Sequence, residues 1–196
     1  LISWINKYLA KRESISVPIQ SKIVIIENVS QELLSLIAGQ YKDLSWGKSV
    51  SSYSLEQLPS LANLSLQPQQ PQKHPIPEKY ISCLDFVSSI LKCDLQSLDS
   101  KLLNYFILTL EKTASLFWLP IYLAVCEMPI STPQFLQILS KWGYLFGIAF
   151  QICDDLADVK QDELNGKPNI CEFLSVVDAS DVLVYLVEWL KSRIVN

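Results

Sequence analysis

Three carboxylates close an otherwise apolar helical run in this 196-residue chain. Phe146 to Lys160 reads FGIAFQICDDLADVK and carries Asp154, Asp155 and Asp158. Asp154 and Asp158 are four residues apart, so on a helix they share one face. Asp155 is rotated from them by about 100° and flanks that face. Gln151 lies one turn ahead of Asp154 on the same side. Several hard oxygens together suit Mg2+, which keeps some waters and binds substrate phosphates through one or two carboxylates. The competing reading is a solvated acidic face. Against it stands the position of the cluster near the C-terminal end of its helix, with Asp162 and Glu163 following. There the helix dipole is negative and like charges at i, i+4 repel, each effect costing about a few tenths of a kcal/mol. A bound cation would relieve both. On the residues alone, both readings stand.

The elements that must hold this cluster are helical. Ser131 to Glu163 forms a long amphipathic pattern, with Thr132 as cap and Pro133 at the first helical position. Asn165 to Pro168 (NGKP) ends it. Upstream, Glu78 to Cys93 and Asp99 to Leu119 show helical periodicity, the second with Asp99 or Ser100 as cap and Pro120 to kink or end it. Ser30 to Trp46 reads as a helix with Ser30 as N-cap, Glu32 as an early acidic residue, and Leu33, Leu34, Ile37, Tyr41 and Leu44 at helical spacing. The β-branched run before it, SKIVIIENV, is ambiguous and leans helical. A last helix spans about Asp178 to Ile194. Between them, about 48 to 77, a Pro/Gln-rich segment reads as an exposed loop insertion in a single domain, and His74 within it as solvated. The fold class is all-α.

Composition narrows the function. With 49% apolar residues and 18% charged, the chain can build a core. A net charge of −4 argues against nucleic-acid binding, which calls for a basic face. The five cysteines are widely spaced without a CxxC pair, and read as buried thiols of a reducing, cytoplasmic compartment. The N-terminal residues lack the pattern of a signal peptide. The most apolar run, Leu116 to Cys126, is interrupted by Pro120 and falls short of the roughly 20 residues of a transmembrane helix.

The stretch GIAFQICDDLADVKQDELNGKP resembles the second aspartate-rich region of the trans-type isoprenyl diphosphate synthases. Gly147, Ala149, Phe150, Gln151, Asp154, Asp155, Asp158, Gly166, Lys167 and Pro168 all match its pattern. Two shorter elements fall in the same order: EKTASLF (Glu111 to Phe117) resembles the family's Lys-Thr segment, and AGQYKDLSW (Ala38 to Trp46) its Gly-Gln segment. The resemblance covers about Ser30 to Leu174. It implies an isoprenoid synthase-type helical bundle and an Mg2+-dependent prenyltransferase that elongates an allylic prenyl diphosphate with isopentenyl diphosphate. It implies Asp154 as a direct Mg2+ ligand, with Asp155 and Asp158 acting directly or through water. Lys112 and Lys167 should contact the diphosphate. Thr113 and Gln151 should face the carbons where positive charge develops. Gln40, Asp43 and Phe150 should line the substrate pocket. Association as a homodimer, or as a heterodimer with a complete synthase, is also implied.

The family carries a first aspartate-rich motif ahead of its Gly-Gln segment, whereas residues 1 to 38 here contain no Asp. The chain starts at Leu1 and its only methionine is Met128. The bundle is therefore expected to be incomplete at its N-terminus, and the 196 residues alone are not expected to elongate a substrate. A non-catalytic partner subunit is the alternative. A class I terpene cyclase ranks third, because DDLADVKQD lacks the Ser/Thr and Glu of the cyclase motif.

Overall fold

A computed structural model describes residues 19–46, 76–126 and 132–193. All regular structure among the described residues is helical. In chain order these are α1 (Ile19–Ser45), α2 (Glu78–Ile90), α3 (Ser100–Thr109), a π turn (Leu110–Ala114), α4 (Ser115–Val125), α5 (Pro133–Asn165) and α6 (Val176–Ser192). Single 3-10 turns sit at Leu95–Ser97 and Ile170–Glu172. The all-α expectation holds. The Pro/Gln-rich segment falls almost wholly, with His74, outside the described residues, as does the N-terminal stretch.

Helix α5 runs along the core, packing on α4, α6 and the π turn, while α1 crosses the π turn from the other side. The buried face of α5 includes Tyr144, Leu145, Ile148 and Ile152, set at the 3–4 spacing that keeps one helix stripe inward. They meet Tyr80 and Leu84 of α2, Phe106 of α3 and Leu186 of α6, all essentially without solvent contact. Each such side chain contributes about 1.5–3 kcal/mol by leaving water. Local signals set the ends of α5. The Thr132 hydroxyl accepts from the Phe135 N–H at 3.2 Å, and Pro133 fills the first turn. Gly166 closes the helix in the left-handed region (φ 61°). Its N–H bonds the Glu163 carbonyl while the Lys167 N–H reaches back to Asp162, so two otherwise unpaired carbonyls are satisfied.

Three sequence expectations are corrected. Ser30 is not an N-cap: α1 starts at Ile19 and runs through the β-branched stretch. Glu32 is consequently mid-helix and buried, where its Oε1 accepts from the Tyr144 hydroxyl at 2.8 Å and from Lys79 Nζ at 2.9 Å. Pro120 does not end the second helix, which continues to Val125. Lastly, Ser100–Val125 joins into 26 residues, long and apolar enough by those measures to cross a membrane, and the apolar 18-residue stretch within it is 56% buried inside the fold, as a core helix is. Of the thiols, Cys83 is fully buried and Cys153 is exposed. Burial pushes the Cys83 thiol up to about 12.

The irregularity in Ser100–Val125 matters most. At the π turn the Ser115 N–H bonds the Leu110 carbonyl, five residues back instead of four, and the Ser115 hydroxyl donates to the same oxygen at 3.0 Å. The extra residue widens the turn that carries Lys112 and Thr113. Two glycines hold it. A Cβ on Gly39 of α1 would lie 2.5 Å from the Lys112 nitrogen, and one on Gly147 of α5 would overlap Ala114.

Candidate active site

The three aspartates are not equivalent. Asp154 and Asp158 are exposed, whereas Asp155 is 1% exposed and its carboxylate is fully engaged. The Asp155 Oδ2 accepts from the Tyr105 hydroxyl at 2.6 Å and from the Ile170 N–H at 2.7 Å, and Oδ1 accepts from the Gln151 amide at 2.7 Å. Desolvation raises the Asp155 carboxyl above the usual carboxylate range, and the three donors together with nearby Lys112 pull against that rise. The same burial, with the Asp155 charge beside it, holds the Tyr105 hydroxyl well above the ordinary phenol range. With three of its acceptor directions taken, Asp155 anchors the helix to α3 and to the segment at Ile170. At Asp158 the helix departs from regular geometry (φ −110°, ψ 15°), so the last of the three aspartates sits at a bend.

Gln151 is buried on the inner side of the cluster. Its Oε1 accepts from the Thr113 hydroxyl at 2.7 Å, so the π turn and α5 meet through the two residues that the family resemblance placed beside the allylic carbon. Lys112, next to Thr113, pairs with Asp43 of α1 at 2.7 Å, with both side chains mostly covered. A helix-surface partnership with Glu111 or Asp99, the ordinary role for such a lysine, does not occur. Glu111 instead pairs with Lys42 of α1 at 2.6 Å. Gln40 is exposed on α1, beside the Gly39 crossing. Lys167 is exposed in the turn after α5. Phe150 is 51% exposed and packs against Phe117 of α4 at 5.2 Å between ring centroids.

Phe150 belongs to a longer line. Trp142, Phe146, Phe150, Asp154 and Asp158 follow one another at intervals of four, so each neighbours the next on the helix surface. Trp142 stacks on Phe146 at 5.4 Å, and Phe117 contacts Phe146 at 4.9 Å. An aromatic track thus leads directly to two exposed carboxylates.

Sequence reasoning missed Tyr105 and Asn169. Asn169 caps the 3-10 turn and its Nδ2 bonds the Asp155 carbonyl at 2.8 Å and Asp162 Oδ2 at 2.9 Å. A tyrosine at helical spacing reads as core, and an Asn after a Pro reads as loop. Neither carries a signal that points to a carboxylate far along the chain. Among the described residues no group of three or more His, Cys, Asp or Glu side chains converges as a ready metal cage. Two exposed carboxylates nonetheless meet the modest protein requirement of Mg2+, which completes its shell with water and phosphate oxygens.

The polyprenyl synthetase family model matches residues 85–183, half of the chain, running from α2 into α6 and including the π turn and the aspartate cluster. The chain belongs to the polyprenyl synthetase family, and its helices form an all-α fold of the isoprenoid synthase type. It is a prenyltransferase-like protein of isoprenoid biosynthesis. No curated protein and no solved structure matched the chain.

Proposed function

We propose that this protein binds an allylic prenyl diphosphate along α5, as a prenyltransferase acting with isopentenyl diphosphate. The observation that carries the reading is the line from Trp142 through Phe146 and Phe150 to Asp154 and Asp158. It offers an apolar surface to a hydrocarbon tail and hard oxygens, through Mg2+, to a diphosphate. Asp154 and Asp158 would hold the Mg2+, whose charge would offset that of the departing diphosphate. Lys167, exposed in the turn after α5, and Lys112, once released from Asp43, would supply positive charge to the phosphates. The Thr113 and Gln151 oxygens lie together, with the Gln151 amide on Asp155, suited to the allylic carbon that becomes positive as its C–O bond breaks.

Calorimetry with geranyl S-thiolodiphosphate, an allylic analogue slow to ionise, tests this. Binding is expected with Mg2+ and not with EDTA, and Asp154→Ala should abolish it. Binding that survives in Asp154→Ala refutes the site.

One further observation favours the partner-subunit reading. Helix α1 exposes Leu34, Ile37, Tyr41 and Leu44, each 64–69% accessible, at the 3–4 spacing of a helix seam. An apolar stripe of that kind suits association with another helical subunit. Supplying labelled isopentenyl diphosphate and geranyl diphosphate to the 196-residue chain separates the two. Elongated product from the chain alone supports the enzyme; a changed product length when the chain is mixed with a complete synthase supports the subunit.

A further inference from the structure

Tyr105 has no part in the reading above, yet it is built into the site. Its ring is 1% exposed and packs on Phe106 and Phe173, with centroids at 5.4 and 5.9 Å. Its hydroxyl donates to Asp155 Oδ2 at 2.6 Å. From that one carboxylate two paths leave. Through Oδ1 and the Gln151 amide the path reaches the Thr113 hydroxyl on the π turn. Through Oδ2 and the Ile170 N–H it reaches the segment that follows Gly166, Lys167 and Pro168. A carboxylate has a limited number of directions in which it accepts strongly, so fixing one oxygen from α3 restricts what the other can do. With the Gln151 NH2 turned to Asp155, its carbonyl oxygen is the end left for Thr113.

We propose that Tyr105 is a positioning residue of the allylic diphosphate site: by holding Asp155 it sets the orientation of the Gln151 amide against Thr113. This rests on the allylic diphosphate reading for its functional consequence. The relay itself does not.

The test is Tyr105→Phe, which keeps the ring and deletes the hydroxyl. Side-chain amide hydrogen exchange of Gln151 is followed by NMR, its resonances assigned by their loss in Gln151→Ala. Exchange should be about tenfold faster in Tyr105→Phe, as loss of a charge-assisted hydrogen bond predicts. Unchanged exchange overturns the proposal. If Tyr105→Phe does not fold, 3-fluorotyrosine placed at position 105, a stronger donor to Asp155, must change the same exchange, and unchanged exchange overturns the proposal equally. The second readout is affinity for geranyl S-thiolodiphosphate in Mg2+. Tyr105→Phe should weaken it about tenfold in the wild-type background but less than about twofold in Thr113→Val, because the two residues act through one chain of bonds. Additive losses would reduce Tyr105 to a core residue and overturn the proposal. Absence of binding by the wild-type protein would strike the function reading alone, while the amide exchange still decides the relay.

Discussion

Gly147 of α5 rests directly on Ala114 of the π turn, with no room for a side chain between the two backbones. That crossing is what allows Thr113 to reach Gln151, one turn further along α5, at 2.7 Å. Gly143, one turn earlier, meets α4 less tightly: a Cβ there would lie 3.1 Å from the mobile tip of Ile121 and 3.2 Å from the Trp118 Cα. Gly147→Ala should therefore cost about 1–3 kcal/mol in urea unfolding, because backbone has to move. Gly143→Ala should stay within about 1 kcal/mol, its crowding offset by the better helix propensity of alanine. Equal costs at the two positions would show that the π turn is not clamped as described.

Phe150 separates the tail from the head of the proposed ligand. Phe150→Ala removes half-exposed apolar surface beside Phe117 without touching Asp154. Affinity for geranyl S-thiolodiphosphate should fall about tenfold, the scale of a buried aromatic contact. Affinity for inorganic pyrophosphate in Mg2+ should not change. Equal losses for both ligands would place the tail elsewhere.

The Cys83 thiol makes stability depend on alkaline pH. Burial raises it from 9.0 to about 12 in the folded protein. In the unfolded chain it ionises near its ordinary value, so between those limits the unfolded state binds fewer protons. Stability from this group is complete below pH 9 and is lost as pH rises towards the folded value, at about 1.4 kcal/mol per pH unit. Comparing urea midpoints at neutral pH and midway through that window checks it: Cys83→Ala should lose less stability across the interval than the wild type. Parallel losses would mean that other groups, such as Tyr122, also raised to about 12, carry the alkaline response.

Much of the fold was legible because its signals are local. Thr132, Pro133 and Gly166 mark the ends of α5 by the hydrogen bonds and dihedrals that those residue types favour, and the structure uses them as expected. The start of α1 was misread because Ser30 is a good cap in isolation. The chain instead continues the helix through it, with Ile25 and Val29 of the upstream turns buried in the core. Of the two outcomes expected at Pro120, a kink or an end, the end does not occur: a proline weakens a helix locally, but the flanking Trp118, Leu119 and Tyr122 are buried and outweigh the missing hydrogen bond.

By itself the sequence determined the helical class, the extents of the later helices, the family, and the strip of α5 on which the acidic cluster lies. The class, the helices and the strip follow from residue type and spacing along each segment, and the family from the resemblance of the aspartate-rich stretch to a known motif. Only the tertiary structure decided what each aspartate does. Asp155, unlike adjacent Asp154, continues the inward 3–4 spacing of Leu145, Ile148 and Ile152, but spacing does not say whether the core would supply partners for a carboxylate there. That depends on Tyr105, fifty residues earlier, and on Ile170, fifteen later, arriving at the same carboxylate. Burial and hydrogen-bond partnership are properties of a place in three dimensions, so the division between exposed and buried aspartates appears only once the helices are packed.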